Sequence, residues 1–171
     1  MGHREEMDHS RQHHDRVHGD GGEPVCASVV VGIDGSDTSW DAFCWACGET
    51  RRLGGRIVAV FVDRSSGAAA ANATASFAGS AVAVVAIQQS ITDQAAQLAH
   101  QVRAYGAEHG VEVTFVRAQG DTAKELLRIA HDDHADLIVV GRSTKARHHL
   151  AGSLGRRLVG KRGGPIVVVV P

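Results

Sequence analysis

Two segments of this chain combine backbone and side chains in ways that suit binding of a polar or anionic ligand. The first follows an apolar run and reads Asp34-Gly35-Ser36. A carboxylate just past the carboxyl end of a strand can accept hydrogen bonds from a ribose or an adenine group. Turn formation or helix capping accounts for the same residue. The second segment reads Gly141-Arg-Ser-Thr-Lys-Ala-Arg-His-His-Leu-Ala-Gly152-Ser153-Leu154. A loop running into a helix N-terminus presents free N–H groups to an anion. Gly152 would let a phosphate approach the backbone, and the Ser153 hydroxyl could donate to it or simply cap the helix. From Arg142 to the end the chain carries Arg142, Lys145, Arg147, Arg156, Arg157, Lys161 and Arg162 and no Asp or Glu. That concentration of positive charge favours a polyphosphate over an uncharged ligand, although a solvated helix face explains the last four as well.

Two further groupings invite chemistry. Cys44-Trp-Ala-Cys47 has the spacing of a thiol–disulfide motif. However, it falls well inside a helix whose buried stripe would be Trp40, Phe43, Cys44 and Cys47, so two small core residues are the better account. His3, His9, His13, His14 and His18 lie in an N-terminal stretch with irregular spacing and no cysteine among them, so a solvated tail is preferred to a metal site.

The elements that position these residues alternate between strand and helix. The run from Cys26 to Ile33 is continuously apolar, as for a parallel strand covered on both faces. A helix follows, ending near Gly54-Gly55, and Arg56 to Asp63 reads as a second strand. Ser65 to Ser80 is Ala/Gly/Ser-rich, expected to be a loop with some helix at most. Ile87, Ile91, Ala95, Leu98, Val102 and Tyr105 mark the inner stripe of a long helix stopped by Gly110, with a third strand over Val111–Val116. Thr122 and Glu125 fit a capping box for a helix that turns Ala123, Leu126, Leu127 and Ala130 inward. Asp136 to Gly141 is a fourth strand, a helix with Leu154 and Leu158 inward comes next, and Pro165 to Val170 is a fifth strand. Strands separated by helices need right-handed crossovers, which predicts an α/β fold: an open five-stranded parallel sheet with helices on both faces, Rossmann-like.

Length and composition bound the rest. At 171 residues the chain suits one domain, assigned to residues 25–171, preceded by a disordered His-rich tail over residues 1–24 that has too few large apolar side chains to offset ordering. A net charge of −1 gives no global reason to expect nucleic acid or an anionic membrane as partner. Three cysteines and the absence of a leader-like start favour the cytoplasm. The uncharged stretch Ser65–Thr92 is too poor in large apolar residues for a membrane span. No nucleophile paired with a base and no Walker-type phosphate loop is visible, so a catalyst is not expected.

Taken together, Val-Val-Val-Gly-Ile-Asp-Gly-Ser, Phe-Val-Asp, Ala-Asp-Leu-Ile-Val-Val-Gly, the Gly-Ser helix start and the Pro-Ile-Val-Val-Val-Val terminus resemble the universal stress protein family, from Cys26 to Pro171. The resemblance implies a fold of the adenine nucleotide alpha hydrolase-like kind. It also implies an adenine-nucleotide-binding, stress-responsive regulatory domain that takes ATP or a relative, with Mg²⁺ accompanying it, and slow ATP hydrolysis as an accessory possibility. It further implies a homodimer paired through the last strand and a regulatory protein partner. By position it assigns Gly141, Gly152 and Ser153 to the phosphates, Asp34 to the ribose and Val62 to the adenine pocket wall, with Ile33, Val140 and Leu154 beside them. Ser143 and Thr144 lie within the same loop. The family's nucleotide-binding branch has Gly-x-x-Gly-x9-Gly-Ser/Thr; here Thr144 replaces the second Gly, and the stretch to Gly152 is two residues shorter. Thr resists the positive-φ conformations open to Gly. Lys145, Arg147, His148 or His149 could restore lost backbone contacts with side-chain charge. The departures favour an alternative function, a dimeric protein-interaction module that binds no nucleotide. A related hydrolase or synthetase would need a Ser-Gly-Gly or His-x-Gly-His loop, and the sequence has neither.

Overall fold

The computed structural model describes residues 27–64, 79–142, 154–159 and 164–171. The expected tail, most of the Ala/Gly/Ser stretch, and Ser143, Thr144, Gly152 and Ser153 lie outside the described residues. The elements in chain order are β1 (Ser28–Gly32), α1 (Asp37–Leu53), β2 (Arg56–Asp63), α2 (Gly79–Glu108), β3 (Glu112–Gln119), α3 (Thr122–Asp132), β4 (Leu137–Gly141), α4 (Leu154–Val159) and β5 (Ile166–Val170). All strand pairs are parallel, as the alternation of elements predicts, and the strand order is β3-β2-β1-β4-β5.

Strand pleating divides the core into two layers. Val29, Val31, Ile57, Ala59 and Phe61 pack with Phe43 and Ala46 of α1 and Ala95, Leu98 and Val102 of α2. Val30, Val58, Val60, Ile138 and Val140 pack on the opposite face with Leu126, Ile129 and Ala130 of α3 and Leu158 of α4. Valine suits both faces of a central strand because its branched side chain packs well on a pleated surface.

Local chemistry sets the helix ends. The Ser36 hydroxyl caps α1 by accepting from Ser39 N at 3.3 Å, and Gly54 closes the helix in the left-handed region at φ +68. Asp37 in the first turn and Arg51 and Arg52 in the last complement the helix dipole.

Several expectations are corrected. The cap of α3 is Asp121, which accepts from Lys124 N at 3.1 Å, while Glu125 pairs with Arg128 instead of reaching back to complete a box with Thr122. Ile129 belongs to the buried stripe and Leu127 is only half-buried. β3 extends three residues beyond Val116, because its pairing with β2 continues to Asp63 opposite Gln119. Ile87 is not on an inner face: it is 58 % exposed, and the part of α2 packed on the core begins at Ile91. Cys44 is exposed, with only Cys47 buried.

Candidate functional site

β1 lies between β2 and β4, and the chain leaves these two neighbours on opposite faces: α1 follows β1 on one side, α3 and α4 flank β4 on the other. The carboxyl ends of β1 and β4 therefore form the switch point at which open α/β sheets leave a crevice.

Asp34 stands on the β1 side of this point and is exposed. Its Oδ1 accepts from Ser36 N at 3.0 Å and from the Ser36 hydroxyl at 2.6 Å, while its own N–H donates to the Ser39 hydroxyl at 3.3 Å. Gln94 Nε2 of α2 donates to the Asp34 carbonyl at 3.2 Å. The residue thus builds the turn that starts α1 and holds its carboxylate at the edge. Gly35 follows with φ +85, a conformation that disfavours any side chain.

Gly141 ends β4 on the other side. A Cβ there would come within 2.1 Å of the Thr38 carbonyl oxygen and 2.9 Å of Ser39 N, so glycine is required by the close approach of β4 to the first turn of α1. Arg142 N donates to Val170 O at 2.8 Å and ties the strand end to β5.

The other sequence-assigned residues divide between the two faces. Ile33 is buried in the α1/α2 layer and donates its N–H to Val60 O at 2.9 Å. Val140 is buried in the α3/α4 layer, and half-buried Val62 and Leu154 pack against that same layer. Gly32 adjoins it, since a Cβ there would lie 3.3 Å from Val140 Cγ1. Ile33, Asp34 and Gly141 thus meet at the strand ends, with Val62, Val140 and Leu154 on the far face.

Among the cations, Arg157 is committed to structure: it donates to the Asp121 cap at 2.7 Å. That bond, with the Lys124 amide, holds the Asp121 carboxyl below the usual carboxylate range.

Sequence reasoning missed Asp63, a buried carboxylate at the end of β2. Arg117 of β3 donates to it at 3.3 Å and to the Thr92 hydroxyl of α2 at 3.1 Å, so a guanidinium joins β2, β3 and α2 at the carboxyl edge. An Asp closing an otherwise apolar strand was the available signal.

The cysteine pair does not form a redox motif. Burial, then the neighbouring Cys44, pushes the Cys47 thiol up to about 12, away from the thiolate. Residues three apart on a helix hold their Cβ atoms about 5–6 Å apart, against about 3.5–4.5 Å in a disulfide. Tyr105 is pushed up to about 12, first by its hydrogen bond with Cys44 and then by burial. Among the described residues no group of three or more His, Cys, Asp or Glu could hold a metal ion, and no helix is long and apolar enough to cross a membrane.

A five-stranded parallel sheet in this order, with a helical layer on each face, defines a doubly wound, Rossmann-like α/β domain. Residues 27–170 match the universal stress protein family, and the chain belongs to it. It is 25 % identical over 150 residues to universal stress protein MJ0531 of Methanocaldococcus jannaschii, covering 86 % of this chain and 84 % of that one. The structure of UspA from Lactobacillus plantarum shares the fold with a TM-score of 0.69 at 19 % identity, over 85 % of this chain and 97 % of that one. Two further structural neighbours are complexes: a universal stress protein with cAMP (TM-score 0.62, 19 % identity, 85 % and 97 % covered) and one from Archaeoglobus fulgidus with dAMP (0.57, 16 %, 87 % and 100 %).

Proposed function

We propose that this domain binds an adenine nucleotide at the β1/β4 switch point and acts as a regulatory universal stress protein in the cytoplasm. The observation that carries the reading is the meeting of Asp34 and Gly141 at the diverging strand ends. Structures sharing the fold are complexes with cAMP and dAMP, which supports the choice of ligand. The Asp34 carboxylate takes the ribose hydroxyls, and the basic segment from Arg142 onward takes the phosphates. Mg²⁺ would be held chiefly by the phosphates and water: it keeps several waters and needs only one or two carboxylates, and the exposed Asp34 and Asp37 both stand at this edge. Binding favours one conformation of the loops around the crevice and so alters a partner surface. The reading assigns no catalytic residue, and any ATP hydrolysis would be slow. β5 is an edge strand with Ile166 67 % and Val169 47 % exposed, which supports pairing of two copies along it.

A specific observation favours a second reading, the interaction module that binds no nucleotide. Thr144 and the shortened loop depart from the phosphate motif, and the packing of Gly141 against Thr38 accounts for that glycine without any phosphate. Calorimetric titration with ATP, AMP and cAMP, on protein freed of carried nucleotide, separates the two. The nucleotide reading expects saturable binding that Asp34→Ala weakens about tenfold, the effect of losing one charge-assisted hydrogen bond. Absence of binding in folded protein selects the module.

A further inference from the structure

A groove of about 270 Å³ runs between the start of α1 and the middle of α2, lined by Gly35, Trp40, Gln94, Gln97, Leu98 and Gln101. None of the six carries a charge. Gln94, Gln97 and Gln101 recur at helical spacing and share one stripe of α2. Gln94 is spent on the Asp34 carbonyl, but Gln97 and Gln101 make no hydrogen bond among the described residues. Trp40 is half-buried and fixed edge-on against Phe43, with ring centroids 5.6 Å apart at 89°. Its indole N–H also has no hydrogen-bond partner among the described residues. At Gly35 a Cβ would stand 3.5 Å from Gln94 Nε2 and 3.6 Å from Leu98 Cδ2, so glycine keeps this end of the groove open.

The lining defines the ligand by its chemistry. A primary amide offers both donors and acceptors, which pairs it with neighbouring hydroxyls, and an indole offers an apolar surface with a polar N–H. Without a cation, and with the Asp34 carboxylate close by, the groove does not suit an anion. Its volume falls just below the range of about 300–1,000 Å³ typical of small-molecule pockets, which limits the occupant to a ring or two. The geometry points to this groove as a binding site for a small neutral saccharide, its C–H face on Trp40 and its hydroxyls on Gln97 and Gln101. The site does not depend on nucleotide binding at the strand ends.

The chain has two tryptophans, so a Trp45→Phe variant leaves Trp40 as the sole indole reporter. Titration of this full-length variant with glucose, ribose and maltose should give a saturable change in Trp40 fluorescence for at least one sugar, with a dissociation constant of about millimolar order. Adding Gln97→Ala and Gln101→Ala, two exposed helix positions where alanine is well tolerated, should weaken that binding about tenfold or more with unchanged circular dichroism. The inference is overturned by the absence of a saturable change for all three sugars up to about 100 mM. It is also overturned by equal affinity in the glutamine variant, or by displacement of the bound sugar by ATP.

Discussion

The two ends of the sheet use similar parts and reach different outcomes. At the amino end, a Cβ on Gly55 would fall 2.0 Å from the Ala27 carbonyl oxygen, just as one on Gly141 would clash with Thr38 at the carboxyl end. Both ends carry carboxylates and an arginine. At the amino end these close on one another: Arg56 donates to Asp133 at 2.8 Å, the Ser28 hydroxyl donates to Asp133, and Asp136 accepts from Ser28 N at 3.3 Å. At the carboxyl end, Asp63 and Arg117 form an equivalent clamp with α2, whereas Asp34 is held in an exposed turn where the helices diverge. Polar residues at a strand end do not by themselves distinguish the two ends; the divergence of the chain beyond β1 and β4, on which the proposed function rests, does.

The largest expected effect treats the two ends alike. Gly141→Val and Gly55→Val each force a side chain into backbone, and each should lower unfolding free energy by about 3 kcal/mol or more in urea titrations. Equal tolerance of valine at either site would refute the close approach there. Next, Leu126→Ala in the layer beneath the switch point should cost about 3 kcal/mol, the usual penalty for emptying a fully buried leucine position. The ends should then separate. Arg56→Ala should cost about 1 kcal/mol of stability while leaving nucleotide affinity unchanged. Ser36→Ala should cost about 1 kcal/mol as a lost cap and also weaken nucleotide binding through the Asp34 turn. A nucleotide effect from Arg56 of the size seen at Asp34 would erase the distinction.

The smallest effect is one of pH. Cys47 and Tyr105 have folded-state pKa values raised to about 12, from ordinary values of 9.0 and 10.0. Their contribution to stability is complete below those ordinary values and is lost as pH rises through the interval up to about 12, because the unfolded chain releases those protons first. Thermal unfolding midpoints should fall over that interval, less steeply in Cys47→Ala. Peptide mapping after alkylation near neutral pH should find Cys44 modified and Cys47 protected until the protein unfolds.

Much of the fold was legible because the strands are apolar runs punctuated by Gly and Asp, and their alternation with helices leaves few topologies. What failed shows where the signal ends. The stripe Trp40, Phe43, Cys44 and Cys47 is right in period but rotated in phase: the buried residues are Ser39, Ala42, Phe43, Ala46, Cys47 and Thr50, which leaves Cys44 outside. Alanine and serine give little hydrophobic contrast, so the true centre of that face was hidden. The start of α2 at Gly79 fell in an Ala/Gly/Ser stretch for the same reason. Asp121 and Thr122 are both good capping residues, and only the backbone geometry chooses between them. The turn-forming role of Asp34 was legible because it follows an apolar strand, which ends at Gly32, and precedes a helix start. The Asp63–Arg117 clamp was not, since it requires knowing that β2 pairs with β3 in the register that sets Phe61 beside Arg117. The requirement for Gly141 was read as ligand chemistry from its motif, but its contact with Thr38 is made by distant parts of the chain.

Backbone amide hydrogen exchange, with and without saturating ATP, tests the central claim most directly. The account predicts slowed exchange over residues 33–38 and at Arg142, with no change at Ser28, Arg56 or the 133–136 turn. Protection confined to the amino end, or no protection at either end under conditions where ATP is bound, would contradict it.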